Sequence, residues 1–302
     1  MTDLSIKISD IEFKNPVFTA SGTFGYGSEV SDLYDVNLLG GVITKTITRQ
    51  PRAGNPPGRI AETTAGLLNS IGLANVGLDN FIEDKLPYLK GLKTGIIVNV
   101  AGESIEDFVE LITRLNIYDE IDGFELNLSC PNVSGGLDFS VDPKLAFKVT
   151  DQVKRVTKKL VIPKLTPNVT DITVIAEAVE DGGADAVSLI NTLLGMAVDI
   201  KTKRPKLGNI MGGLSGPAIK PVALARVFSV SRKVNIPVIA IGGICSMNDV
   251  LEFLITGASA VQLGTINFID PMAPVKIIDE LEEYFNNNGI HSVSEIINTI
   301  KI

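Results

Sequence analysis

Residues 95–128 read GIIVNVAGESIEDFVELITRLNIYDEIDGFELNL, and this stretch decides the fold. Its two ends, 95–100 and 123–128, are short and rich in Val, Ile and Leu on both faces. That is how strands of a parallel sheet covered by helices read. Between them, Ser104 followed by Asp107 fits a capping box and starts a helix. Strand, helix and strand in one direction make a βαβ unit. Working outward, further strands are expected at 17–20, 41–45, 161–165, 186–190, 237–241 and 260–264, which makes eight. Helix starts recur at Asp142-Pro143, where an N-cap precedes a first-turn proline, at Thr170-Asp171, and at Ser246 with Asp249.

Eight such units in 302 residues predict an α/β fold of the TIM (β/α)8 barrel type. A doubly wound open sheet is the alternative, because strand order is not written in one sequence. Leu4, Ile6, Ile8, Ile11 and Phe13 read as an N-terminal β-hairpin. Length alone suggests two domains at roughly 150 residues each. The repeat instead predicts one barrel domain over 1–302, with long loops after strands 2 and 6, at 46–95 and 191–236. Both are rich in Gly, Pro and Asn, and both would emerge at the C-terminal face, where barrels build active sites. They are expected to cover the site.

Composition narrows the function. There are 27 Lys+Arg against 35 Asp+Glu, a net charge of −8, which argues against nucleic acid as a partner. At 45% hydrophobic and 21% charged residues the chain can bury a large core. The start MTDLSIK has no secretory character, and no window reaches the 18 or so apolar residues of a membrane span. A cytoplasmic protein that does not enter the membrane is expected. With only Cys130, Cys245 and His291, the chain has no disulfide framework, no Cys/His zinc site and no four-cysteine cluster, so no metal is expected. Its chemistry must use Lys, Asn, Ser, a Cys or an organic cofactor.

The strand ends supply those groups: Ala20-Ser21, Lys45-Thr46, Asn99, Asn127, Lys164, Asn191-Thr192, Gly242-Gly243 and Gly264-Thr265. Singly, each is explained by solvent or turn chemistry. Together they describe a polar ring round a pocket mouth. Gly216, Gly243 and Gly264-Thr265 lie where barrel loops commonly hold a phosphate on backbone N–H groups. Lys45 and Lys164 would face the pocket, where a lysine stabilises an anionic reduced flavin or pairs with a carboxylate. Cys130, in the rim loop after strand 4, can be a nucleophile or general base; the bland reading is a small buried hydrophobe. Cys245 reads as packing.

These motifs resemble the FMN-containing dihydroorotate dehydrogenases of class 1, and among them the class 1B catalytic subunit. The resemblance is carried by 69–75 (NSIGLAN), 127–132 (NLSCPN), 164–168 (KLTPN), 190–192 (INT), 213–221 (GLSGPAIKP), 242–244 (GGI) and 257–265 (GASAVQLGT). It implies oxidation of (S)-dihydroorotate to orotate in pyrimidine biosynthesis, with Cys130 removing a proton and a hydride passing to FMN. Carried over, Lys45, Asn69, Ser70, Ile71, Gly72, Leu73, Asn127, Asn191 and Thr192 would bind substrate. Ser21, Lys45, Thr46, Asn99, Asn127, Lys164 and Ile190 would contact the FMN ring and ribityl chain, and Gly216, Gly242, Gly243, Gly264 and Thr265 its phosphate. Class 1B rests on 98–102 (VNVAG), 130–136 (CPNVSGG) and 220–223 (KPVA). It implies a partner subunit carrying FAD and a 2Fe-2S cluster that passes electrons to NAD, with a homodimer of this chain inside a heterotetramer. Ser70, Ala74 and Pro163 depart from the usual pattern. Alternatives are a class 1A-like enzyme with fumarate or another acceptor, a related dihydropyrimidine or dihydrouridine enzyme, and a flavin-free phosphate-binding barrel isomerase or lyase.

Overall fold

The computed structural model describes residues 2–129 and 139–302. Eight parallel strands close into a barrel: β1 (Val17–Thr19), β2 (Gly41–Ile43), β3 (Gly95–Val100), β4 (Gly123–Asn127), β5 (Leu160–Leu165), β6 (Val187–Leu189), β7 (Val238–Ile241) and β8 (Ala260–Leu263). They follow one another in chain order, and β8 returns to pair with β1 through Val261–Val17 and Leu263–Thr19. Closure leaves no open sheet edge and excludes the doubly wound alternative.

Alternation along the strands stacks the interior in levels. At the N-terminal end the hairpin strands Ile6–Ile8 and Ile11–Phe13 carry the Phe13 ring to 4.9 Å from Phe18. Gly95 admits it: a Cβ there would lie 2.3 Å from that ring. Apolar Ile97 and Ile162 fill the next level, and both are sealed from solvent. Above them, side chains turn polar, with Asn99, Glu125, Ser188 and Gln262 all at 0% exposure. Outside, the apolar faces of the helices complete the core, as with Phe108, Leu111, Ile112 and Leu115 on Ile105–Leu115.

The helix starts follow from their caps. Asp142 accepts from the N–H groups of Lys144 and Leu145 ahead of Pro143, and Asp171 accepts from that of Thr173. Ser246 and Asp249 form a complete capping box. At Ser104 only half of the expected box forms. Its hydroxyl accepts from Asp107 N–H, but the Asp107 carboxylate reaches Glu103 N–H instead, one residue further out.

The long loops differ most from expectation. The first contains helical turns over 77–89, and the second gives way to the helix Lys220–Val230. Part of what remains is sheet. Ile60–Thr63 and Gly66–Asn69 from the first pair with Met211–Ser215 and Leu193–Met196 from the second in one antiparallel four-stranded sheet. Its own small core is Ala61, Leu68 and Leu207. Gly212 and Gly213 serve this close pairing: added Cβ atoms would fall 2.3 Å from Asn69 O and 2.0 Å from Thr192 Oγ1.

Asp249 ties two active-face turns together. It accepts from the N–H groups of Cys245 and Ser246, and its other oxygen is 2.6 Å from Lys220 Nζ. Burial pushes its carboxyl up, but the Lys220 ammonium and those N–H donors outweigh burial and hold it below the usual range. A carboxyl held low in the folded chain stabilises it above the unfolded value, about 3.9, and the contribution is lost as pH falls through the folded value. Asp249→Asn should therefore be less stable than the parent to urea at about pH 6. The gap should shrink below about pH 4; a gap constant across that range would show that the charge is not what these donors hold.

Candidate active site

The C-terminal rim gathers the polar strand ends into three connected groups. The first is a floor. Glu125, on β4, accepts hydrogen bonds from Asn99 Nδ2, Lys164 Nζ (3.4 Å), Ser188 Oγ (2.9 Å) and Gln262 Nε2 (2.6 Å). Lys164 also donates to Ser21 Oγ at 3.3 Å, so Ser21, Asn99 and Lys164 form one network. The Lys164 side chain is 6% exposed and Glu125 is its ion-pair partner.

The second group is an arc across the mouth. Asn127 Oδ1 accepts from Asn191 Nδ2 at 3.4 Å. Thr192 follows, with its carbonyl held by Asn168 Nδ2 at 3.0 Å. Thr192 packs on Gly213, whose carbonyl accepts from Asn69 Nδ2 at 3.4 Å. Asn127, Asn191, Thr192 and Asn69 are thus contiguous, and the cover sheet is what joins them. Beyond Asn69 the chain runs through Ser70, Ile71, Gly72 and Leu73, and the last two are both left-handed, at φ 75° and 54°. Asn55 braces this turn, donating to the carbonyls of Ser70 and Ile71. Asn75 anchors it to Thr48, accepting from that residue's N–H and donating to its hydroxyl at 2.9 Å. The Ser70 hydroxyl is buried with no partner among the described residues.

The third group is a glycine cradle. A Cβ on Gly243 would sit 2.7 Å from Lys220 N and 2.9 Å from Gly216 O, and a Cβ on Gly216 would sit 3.6 Å from Thr265 Cγ2. Gly216, Gly242 and Gly243 have φ of 94°, 133° and 72°, which only glycine adopts freely. Gly264 differs: a Cβ there would meet only Ala20, at 3.7 Å, so it borders open space. These turns present bare backbone of the kind that holds a phosphate. Lys220 adds little free charge, being paired with Asp249 and with Glu252 at 3.0 Å.

Ile190 is buried near Gly242, and Thr46 is buried at the end of β2. Lys45 stands apart from these groups. It is half-buried, its N–H donates to Gly25 O, and its ammonium has no hydrogen-bond or ion-pair partner among the described residues. Cys130 lies outside the described residues. Cys245 is half-buried, and burial followed by the nearby Asp249 charge pushes its thiol up, away from the reactive thiolate.

Sequence reasoning missed Glu125, Ser188 and Gln262, and it gave no role to Asn55, Asn75 or Asn168. The first three had a signal: each is a polar residue in the middle of an otherwise apolar barrel strand. Asn75 and Asn168 lay inside quoted motifs, but the braces they form, to Thr48 and Thr192, reach 24 or more residues and were not legible there.

The residues present fit a phosphate-bearing flavin. The glycine turns bring bare backbone close together, with open space beside Gly264, a lysine lies in the floor, and Asn99 Oδ1 is a buried acceptor with no partner among the described residues.

Comparison with known proteins gives the context. Residues 3–285 match the family described as dihydroorotate dehydrogenase. Three similar proteins are each named dihydroorotate dehydrogenase B (NAD(+)), catalytic subunit. That of Geobacter metallireducens is 53% identical over 301 residues, covering 99% of both chains. That of Thermoanaerobacter sp. strain X514 is 50% identical over 301 residues with the same coverage. That of Bacteroides thetaiotaomicron is 51% identical over 303 residues and covers 100% of both. The structure of the Eimeria tenella dihydroorotate dehydrogenase in complex with ferulenol superposes with a TM-score of 0.80 over 98% of this chain and 88% of that one. At 23% identity it speaks for the fold alone. Among the described residues no helix is long and apolar enough to cross a membrane. Sequence match, barrel and polar rim agree, and the chain belongs to the dihydroorotate dehydrogenase family.

Proposed function

We propose that the chain is the catalytic subunit of an NAD-linked dihydroorotate dehydrogenase, oxidising (S)-dihydroorotate to orotate in pyrimidine biosynthesis. Full-length relatives at about half identity carry that name. Within the structure, the observation that carries the reading is Lys45, a half-buried residue two positions past β2 whose ammonium has no counter-charge among the described residues. Such a group calls for an anion from outside, and the substrate carboxylate is one.

FMN, when bound, would supply the hydride acceptor. Gly216, Gly242, Gly243, Gly264 and Thr265 would hold its phosphate, and Ser21, Thr46, Asn99, Lys164 and Ile190 its ring and ribityl chain. Lys45 and Asn127 would contribute to both ligands. The arc of Asn69, Asn127, Asn191 and Thr192 offers amide and hydroxyl groups that match the alternating C=O and N–H edge of a pyrimidine ring. The turn over Ser70, Ile71, Gly72 and Leu73 would close over the ring with backbone groups and exclude water. Cys130 would take the proton from C5 of dihydroorotate as general base. Electrons would leave through a partner subunit bearing FAD and a 2Fe-2S cluster, within a heterotetramer built on a homodimer. Leu194, Met196, Val198 and Ile200 stand exposed along the cover, an apolar edge of the kind that subunits bury. We place the protein in the cytoplasm.

The direct test is the purified chain, mixed anaerobically with dihydroorotate: a yellow protein should bleach. A colourless protein, or a flavin indifferent to dihydroorotate, overturns the reading. Cys130→Ala should lower the rate of bleaching by about 10²–10⁴-fold with FMN retained, as loss of a general base does. Lys45→Ala should weaken substrate binding by about 10–100-fold, the worth of a charged hydrogen bond, and a KM unchanged from the parent would place the carboxylate elsewhere. Gly243→Ala should be purified largely without FMN, because its methyl group would lie 2.7 Å from Lys220 N. Stoichiometric FMN in that variant would locate the phosphate at another site.

A further inference from the structure

The pocket floor holds a charge that the reaction as described does not use. Glu125 has no exposed surface, and burying a lone carboxylate costs several kcal/mol. Its two oxygens have about four acceptor sites, and four donors fill them. Those donors come from β3, β5, β6 and β8, so the carboxylate on β4 gathers side chains from four other strands. Only one donor is a cation, Lys164.

Two consequences follow from valence alone. A carboxylate only accepts, so Asn99 and Gln262 must turn their NH2 groups towards it. Their carbonyl oxygens are thereby directed away, and neither Asn99 Oδ1 nor Gln262 Oε1 has a partner among the described residues. Lys164 is itself buried, at 5% exposure, and Glu125 is its one ion-pair partner among the described residues.

We propose that Glu125 is a positioning residue for the redox step: it anchors the Lys164 ammonium in the pocket floor, and sets the Asn99 amide so that its oxygen is the free acceptor. The proposal rests on the flavin reading above. Positive charge near the flavin favours its anionic reduced form. Without Glu125 the Lys164 side chain loses its anchor and leaves its place, which takes that charge away from the flavin. Glu125→Gln should therefore act through Lys164 and shift the flavin potential in the direction opposite to that expected from deleting a negative charge.

The experiment compares parent, Glu125→Gln, Lys164→Met and the double variant, each loaded with FMN, by equilibrium reduction against indicator dyes. Glu125→Gln should lower the preference for reduced over oxidised FMN at least tenfold, about 30 mV for a two-electron couple, in the same direction as Lys164→Met. The double variant should match Lys164→Met alone. An unchanged or more positive potential in Glu125→Gln overturns the proposal, as does an additive double variant. Should Glu125→Gln not fold, the double variant, which leaves no unpaired charge in the floor, still decides through its comparison with Lys164→Met. A parent chain that binds no FMN overturns both this and the flavin reading, whereas a loaded parent with insensitive variants overturns this proposal alone.

Discussion

A carboxylate sealed inside a barrel is tolerated only when donors surround it, and Glu125 ties the rest of the fold to that condition. Asn99, Lys164, Ser188 and Gln262 must each arrive at the same height from a different strand. A one-residue slip in any of those strands would turn its donor outwards and an apolar neighbour inwards. The polar level therefore pins the barrel's register at the point where the apolar levels below give way to the pocket above. Lys164 belongs to both: its ammonium closes the network beneath, and it contacts Ser21 at the rim.

The arc across the mouth depends on a different constraint, the close pairing of two loops from distant strands. Asn69 leaves the barrel after β2 and Thr192 after β6, and nothing local would bring them together. They meet because Gly66–Asn69 pairs with Met211–Ser215, which pairs in turn with Leu193–Met196. Gly212 and Gly213 permit that approach, since a side chain at either position would strike Asn69 O or Thr192. The three core side chains under the sheet are few for its area, so the cover draws much of its order from ladder hydrogen bonds and from asparagine braces such as Asn168 and Asn55.

How much of this was legible in sequence varies with the range of the interactions. The strands were legible because burial on both faces is written locally: Gly41–Ile43, Gly95–Val100 and Val238–Ile241 fall within the expected runs. So were caps such as Asp142-Pro143 and Ser246 with Asp249, whose partners lie within four residues. The cover sheet was not, because its strands alternate weakly and the pairing that joins its two halves spans more than 140 residues, as between Ser215 and Leu67. Gly212 and Gly213 serve that pairing, and nothing in their local sequence shows it. Glu125 was passed over as one letter in an apolar run, although a charge at mid-strand in a barrel has nowhere to point but inwards or into helices.

The distribution of positive charge is the last step. Of Lys45, Lys164 and Lys220, two are neutralised by the chain itself, Lys164 by Glu125 and Lys220 by Asp249 and Glu252. Lys45 alone of the three has no partner for its ammonium among the described residues. On the function proposed above, an acidic protein of net charge −8 would have to hold two anionic groups by different means. In the glycine cradle, fixed N–H dipoles would do it at short range and with little sensitivity to salt. At Lys45, a single ammonium half open to solvent would do it through a field that dissolved ions screen. On that reading the cofactor end would be built for retention and the substrate end for exchange, a division that suits a group that stays bound and a substrate that turns over.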